Sequence, residues 1–470
     1  MTFLVNLQKK PMINSANSVL FQNDFFNELR LKEFSRLDAE NQVYLDFTGG
    51  NLYADSQLKK HFDMLHSGVF GNPHSTNPSS QKATHLIEET RQAVIDFFNA
   101  NDYYCVFTQN ASGALKIVGE SYPFNEKSQL VMLADNHNSV NGIREFCLQK
   151  KGKTIYVPVQ YEDLCINEQS LVDALQSRIE GENNLFAFPA QSNVSGVKHN
   201  LKWIDFAQKL GYDVLLDAAA FVSTSTLDLS VYQPDFVSVS FYKIFGFPTG
   251  LGCLLVHKNK FNKLVKPWFA GGTVTLVSVV NQNKFLANGH ERFEDGTLNY
   301  LEIPAIKNGL EFIQSIGMEN INKRVSTLIQ FVANQLADIK HSNGLSVVKI
   351  FGPSDFQLRG GNIIVNFFDS DGHLIPFELI ENKTNSKNIS IRSGCFCNPG
   401  IDEINNCITN DEISKYFVSR DKGDYYDMIK FLGKMRGATR ISVGIATVES
   451  DLNKFVDLIK FLKDKIISDL

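Results

Sequence analysis

A chain of 470 residues, 43% hydrophobic and 21% charged, is long enough to bury a large core and too apolar to be disordered. Its formal net charge of -5 offers no basic stripe to displace counterions, which argues against nucleic acid as a partner. No apolar run reaches the roughly 18 residues of a membrane span, and Met1 to Leu20 lacks the basic-then-apolar order of a secretory leader.

Residues 1–39 are expected to form an N-terminal arm packing on the C-terminal part of the chain, ahead of a large domain over 40–290. Its helical signal is clear at Leu86, Thr90, Val94 and Phe97-Phe98, spaced for one helix face. Short apolar runs then predict buried strands at Cys105–Thr108, Leu130–Leu133, Leu185–Phe188, Val214–Leu216, Phe236–Ser240 and Gly252–Val256. Near-continuous apolar runs of this kind belong to parallel strands covered on both faces, so the fold class is α/β with a mostly parallel, doubly wound sheet. Eleven residues, Phe241 to Leu251, separate the last two strands. A parallel crossover needs about a dozen or more, so Gly252–Val256 is expected to run antiparallel. The basic cluster Lys150-Lys151-Gly152-Lys153 reads as a solvated turn.

From 291 to 470 the elements become sparser, as in a smaller C-terminal α+β domain. A helical region is expected near 304–340, strands near 347–350, 362–368 and 438–443, and an amphipathic helix to the end. The polar segment Asp402 to Lys434 reads as an insertion or loop. Five of the seven cysteines, Cys105, Cys147, Cys165, Cys253 and Cys407, are scattered, the usage of a reducing cytoplasm without a disulfide framework.

Ligands of open α/β sheets bind beyond the carboxyl ends of the strands. After the first strand, Ala111 and Ser112 open a helix whose N–H groups can meet a phosphate or simply make a turn. After the second comes His137, which either lies flat against a ring or is a surface histidine in a turn. Asp217 follows Val214–Leu216 and precedes three alanines, as an acid facing a protonated ring nitrogen or as a helix cap. Lys243 closes the run from Ser238 among Phe241, Ile244, Phe245 and Phe247, where desolvation would make its amine a nucleophile.

In this order the motifs resemble the class-V aminotransferase group of fold-type I pyridoxal 5'-phosphate (PLP) enzymes, and within it the cysteine desulfurases. The segments Phe188-Pro-Ala-Gln-Ser-Asn-Val-Ser-Gly196, Ser240-Phe-Tyr-Lys-Ile-Phe-Gly246, Phe293-Glu-Asp-Gly-Thr-Leu-Asn299 and Arg392-Ser-Gly-Cys-Phe-Cys-Asn-Pro-Gly400 are most similar to the desulfurase-like domain of molybdenum cofactor sulfurases. The resemblance runs from about residue 43 to 465. Two departures, Ala220 where many desulfurases have glutamine and Tyr242 where they have histidine, favour that branch over iron-sulfur assembly enzymes. Eukaryotic cofactor sulfurases carry a further C-terminal domain with no counterpart in these 470 residues, which leaves the sulfur acceptor open.

The resemblance implies an aspartate-aminotransferase-like homodimer with PLP as cofactor, L-cysteine as substrate and a sulfur-acceptor protein as partner. It makes Lys243 the Schiff-base lysine, Asp217 the partner of the ring nitrogen, which keeps the ring an electron sink, and His137 the residue stacked on the ring. Ala111, Ser112, Ser240 and Tyr242 would hold the phosphate, with Thr297 reaching that of the other subunit. Asn193 would sit near the ring oxygen, and Arg440 would fork onto the substrate carboxylate, Arg392 being a second candidate. Cys395-Phe396-Cys397 admits three readings: a metal or redox pair, poorly spaced for structural zinc; two buried thiols; or a nucleophile. The family spacing from Arg392 implies Cys397 for the last, leaving alanine and a persulfide on Cys397. Other reactions on the same cofactor (transamination, C–S lysis, selenocysteine cleavage) would make Cys397 dispensable, and a non-catalytic binding protein is the alternative of a different class.

Overall fold

A computed structural model describes residues 15–178, 181 and 183–470, with side chains from residue 24 onward. The leader reading and the arm, so far as they fall on residues 1–14, lie outside the described residues.

A seven-stranded sheet organises the first half of the chain. From edge to edge its strands are Tyr103–Thr108, Gly252–His257, Phe236–Ser240, Tyr212–Asp217, Asn184–Pro189, Gln129–Leu133 and Lys153–Val157. Every neighbouring pair is parallel except the two that involve Gly252–His257, which runs against both of its neighbours. The short link before that strand leaves room for no crossover helix, as expected.

Successive side chains point to opposite faces of a strand, and both faces here are apolar. Leu130, Met132, Leu185 and Ala187 pack with Ala114, Leu115 and Val118 of the helix Ala111–Ser121 on one face. Val131, Leu133, Phe186 and Phe188 face the other, where Ile87 and Val94 of the helix Pro78–Phe97 belong to the same cluster.

The strand Lys153–Val157 was not expected, because the basic turn ends at Gly152 and Lys153 already starts a strand. It lies at the sheet edge with only Val157 buried, so it lacks the continuous apolar run of the central strands.

A second, four-stranded antiparallel sheet has the order Val348–Phe351, Asn362–Phe367, Ala438–Ser442, Arg392–Gly394. The helical region before it is two helices, Ile303–Ile316 and Met318–Ala337, parted by Gly317 at φ 86°. Arg30 on the helix Ser15–Glu33 pairs with Asp451 at 2.6 Å on the helix Glu449–Lys460, which stops short of the C-terminus. The reading of Asp402 to Lys434 as a loop is corrected: Pro399–Asn405, Asn410–Val418 and Tyr425–Leu432 are helices. Their start signals were local, Thr409 and Glu412 forming a capping box and Asp424 accepting from Asp427 N. Among the described residues no helix is long and apolar enough to cross a membrane.

Candidate active site

The carboxyl ends of five strands surround a cavity of about 260 Å³. The chain leaving Tyr103–Thr108 turns straight into the helix Ala111–Ser121, whose cap, Asn110, accepts from Gly113 N at 3.0 Å. Ala111 N donates to Ser240 Oγ at 2.9 Å, and Ser112 Oγ lies 2.6 Å from Ser139 Oγ. One corner of the cavity therefore combines a helix N-terminus with several hydroxyls, the chemistry of an anion site.

Asp217 ends its strand on the cavity wall and is followed by turns, so no helix begins there for it to cap. Its hydrogen bonds, from Ala219 N at 3.1 Å and Ser238 Oγ at 3.0 Å, both fall on Oδ1. His137 caps the short helix Asn138–Asn141 by accepting from Ser139 N at Nδ1, 3.1 Å away. Burial pushes the His137 pKa down, against the pull of Asp217, so the neutral ring is favoured.

Lys243 does not end a strand. Phe236–Ser240 closes at Ser240, and Lys243 rides on the single turn Tyr242–Phe245. That turn is seated by Phe245, packed so tightly on Gly309 that a Cβ there would fall 2.2 Å from the ring, and by Asn51 Nδ2, which donates to Ile244 O at 2.7 Å. Among the described residues the Lys243 amine makes no hydrogen bond or ion pair, and Lys243 and Tyr242 both line the cavity. Burial pushes the Lys243 amine down toward its neutral, nucleophilic form, with Asp217 opposing.

Asn193 joins this cavity to a second cluster. Its Nδ2 donates to Phe396 O at 2.9 Å, its Oδ1 accepts from Asn398 Nδ2 at 3.1 Å, and its carbonyl accepts from Arg440 Nη1 at 2.8 Å. Cys397 is exposed on the loop between Arg392–Gly394 and Pro399–Asn405, where Phe396 and Cys397 hold φ 56° and 55°. Such left-handed backbone is costly for non-glycine residues and persists only where neighbours impose it. Here Asn138 N donates to Cys397 O at 2.7 Å and buried Asn398 donates to Asp135 O at 2.6 Å. Cys395 is half-buried, and burial pushes its thiol up, away from the thiolate. No group of three or more metal-ligating side chains occurs among the described residues.

The structure thus brings Ala111, Ser112, His137, Asn193, Asp217, Ser240, Tyr242 and Lys243 to one cavity. Arg440, Arg392 and Cys397 lie beside it, not on its wall. Thr297 is elsewhere: it is exposed and accepts from Asn72 Nδ2 at 3.4 Å. Sequence reasoning missed Asp46, which bonds both arginines, and gave no role to Gln191, which lines the cavity inside a quoted motif. Gly49-Gly50 after Asp46 was the available signal, marking a tight turn beside an acid.

Comparison with known proteins agrees with this architecture. The model of the family "Aminotransferase class-V" matches residues 43–455. The human protein named molybdenum cofactor sulfurase is 37% identical over 458 residues, covering 92% of this chain and 51% of that protein. Its rice namesake (Oryza sativa subsp. japonica) is 35% identical over 485 residues, covering 94% and 58%. The chain spans about half the length of these curated relatives. Among solved structures, the apo cysteine desulfurase of Thermococcus onnurineus NA1 superposes with a TM-score of 0.76 at 23% identity, over 94% of this chain and 98% of that one. The Escherichia coli cysteine desulfurase CsdA gives 0.72 at 18%, over 93% and 98%. At these identities the likeness is one of fold.

Proposed function

The chain belongs to the class-V aminotransferase family and is by that membership a PLP-dependent enzyme, and on this premise we propose that it is a cysteine desulfurase of the molybdenum cofactor sulfurase kind, converting L-cysteine to L-alanine. The observation that carries the reading is the cavity that holds an unpartnered lysine, an acid and a hydroxyl-rich helix N-terminus together. These residues fit the cofactor. Asp217 has both its bonds on Oδ1, leaving Oδ2 for a ring N–H, and Lys243 has an amine with no competing partner.

Lys243 would carry the cofactor covalently, Asp217 would face its ring nitrogen, His137 would stack on it, and Ala111, Ser112, Ser240 and Tyr242 would surround the phosphate. Bound there, PLP supplies an electron sink for breaking bonds at the substrate. Lys243 Nζ, held toward neutrality by burial, takes and returns the substrate α-proton. Arg440 orients the substrate carboxylate, with Arg392, bound to Asp46, as the second candidate. Cys397 Sγ attacks the substrate sulfur as the substrate carbon–sulfur bond breaks with its electron pair left on carbon, which takes up a proton to become alanine. The sulfur stays as a persulfide on an exposed loop, from which an acceptor protein can collect it. We place the enzyme in the cytoplasm as a homodimer, with Thr297 reaching the other subunit's site, and divide the chain into 40–290 and 291–470 with residues 1–39 as an arm.

The test is direct: purified, PLP-loaded protein is mixed with L-cysteine, and alanine and sulfide are quantified. Equal amounts of both in the presence of a reductant are expected. Alanine absent while another product accumulates would replace this reading with a different reaction on the same fold.

A further inference from the structure

The two arginines beside the cavity face each other across an antiparallel ladder, Arg392 opposite Arg440. Like charges placed directly opposite in a ladder repel each other. Here one carboxylate stands between them. Asp46 Oδ1 accepts from Arg440 Nη2 at 2.6 Å, while Oδ2 accepts from Arg392 Nε at 2.9 Å and Nη2 at 2.6 Å. Asp46 is held in place by a backbone bridge to Ser442 and by a turn so close that a Cβ on Gly49 would come within 2.5 Å of the carboxylate.

Two cations and one anion leave a single uncompensated positive charge. It lies toward the Lys243 cavity, because Arg440 Nη1 bonds the carbonyl of Asn193 on the cavity wall, and buried Arg440 Nε has no hydrogen-bond partner. Arg440, Arg392 and Asp46 also all act electrostatically on Tyr242, the neighbour of Lys243.

We propose that Asp46 sets the charge specificity of the substrate site: it occupies the second guanidinium position, so that the site accepts amino acids with one carboxylate and rejects those with a further acid in the side chain. The inference rests on the reading of this cavity as an amino-acid site. A cysteine side chain brings no such acid. An aspartate or a sulfinate does, and would have to displace Asp46 or sit against it. With Asp46 neutral, the two guanidinium groups would match two acids. Specificity of this kind comes from a repulsive element as much as from an attractive one.

Calorimetric titration of cofactor-free protein with N-phosphopyridoxyl-L-alanine and N-phosphopyridoxyl-L-aspartate, both stable reduced adducts, reads this without catalysis. Wild type should bind the alanine adduct more tightly. Asp46→Asn, which keeps the shape and removes the charge, should move the ratio of affinities toward the aspartate adduct by about tenfold or more. Arg392→Gln added to Asp46→Asn should return the ratio toward wild type, and Asp46→Glu should leave the alanine preference in place. Wild type binding both adducts equally overturns the proposal without any variant. So does an unchanged ratio in Asp46→Asn that still binds the alanine adduct. Wild type binding neither adduct removes the amino-acid-site reading, and this inference with it.

Discussion

Glu294 stands behind the turn that carries Thr297, and its replacement by alanine should cost far more than the loss of a surface charge. Arg91 Nη1 and Nη2 meet the Glu294 carboxylate at 2.7 Å and 3.2 Å, with the two side chains 8% and 5% exposed. Glu294 Oε1 also accepts from Phe107 N at 2.8 Å, satisfying an N–H on the edge strand Tyr103–Thr108. Removing one partner of a buried ion pair costs about 3–5 kcal/mol, because the other charge is left stranded. Arg91 keeps Glu88 at 3.2 Å and the Cys105 carbonyl at 2.5 Å, so the lower end, about 3 kcal/mol, applies. The orphaned Phe107 N–H adds about 1 kcal/mol, for a total near 4 kcal/mol. Urea unfolding followed by tryptophan fluorescence measures it, with Trp268 close to this segment through Lys266, which lies over both Trp268 and Phe293. Arg91→Met combined with Glu294→Leu should recover most of the loss, since no charge is then stranded. A loss for Glu294→Ala below about 1 kcal/mol, the range of exposed pairs, would refute the argument that this pair is desolvated.

Cys397→Ser should still bind PLP and react with cysteine at the cofactor, yet make no alanine and hold no persulfide, while Cys395→Ser, altering a half-buried thiol, should do much less damage; product analysis and mass spectrometry separate the two. Alanine at the wild-type rate from Cys397→Ser would sink the thiol-attack mechanism. Lys243→Met should stabilise the cofactor-free protein, most at neutral pH. Burial holds the native Lys243 pKa below its ordinary 10.5, so the unfolded chain binds the extra proton. This lysine's contribution to stability is therefore complete only above the unfolded pKa and is lost as pH falls through the folded one. Urea melts at about pH 7 and about pH 10 should show the gap between variant and wild type narrowing as pH rises; a constant gap contradicts it. Mixing Thr297→Ala with Lys243→Ala subunits should restore some activity if sites are shared across a two-fold dimer, and a fully active monomer at all concentrations would exclude that arrangement.

The central strands, the antiparallel return at Gly252–His257 and the cluster of strand-end residues were legible in the linear sequence because each depends on local pattern. A doubly buried strand must be apolar throughout, an eleven-residue link is too short to cross over, and the carboxyl ends of parallel strands necessarily share one edge of the sheet. What is half-exposed was harder to read. Lys153–Val157 is an edge strand with only Val157 buried, and the helices between Pro399 and Leu432 are short and capped by side chains, with few buried apolar residues to mark them. Only the tertiary structure decided the charges. Asp46 lies 346 residues from Arg392 and 394 from Arg440, and neither its pairing with them nor the opposition of the two arginines has any trace in local periodicity. Coulombic contact depends on distance in space, and that distance exists only after the segment around Asp46 bridges to Ser442 and the small sheet sets Arg392 against Arg440.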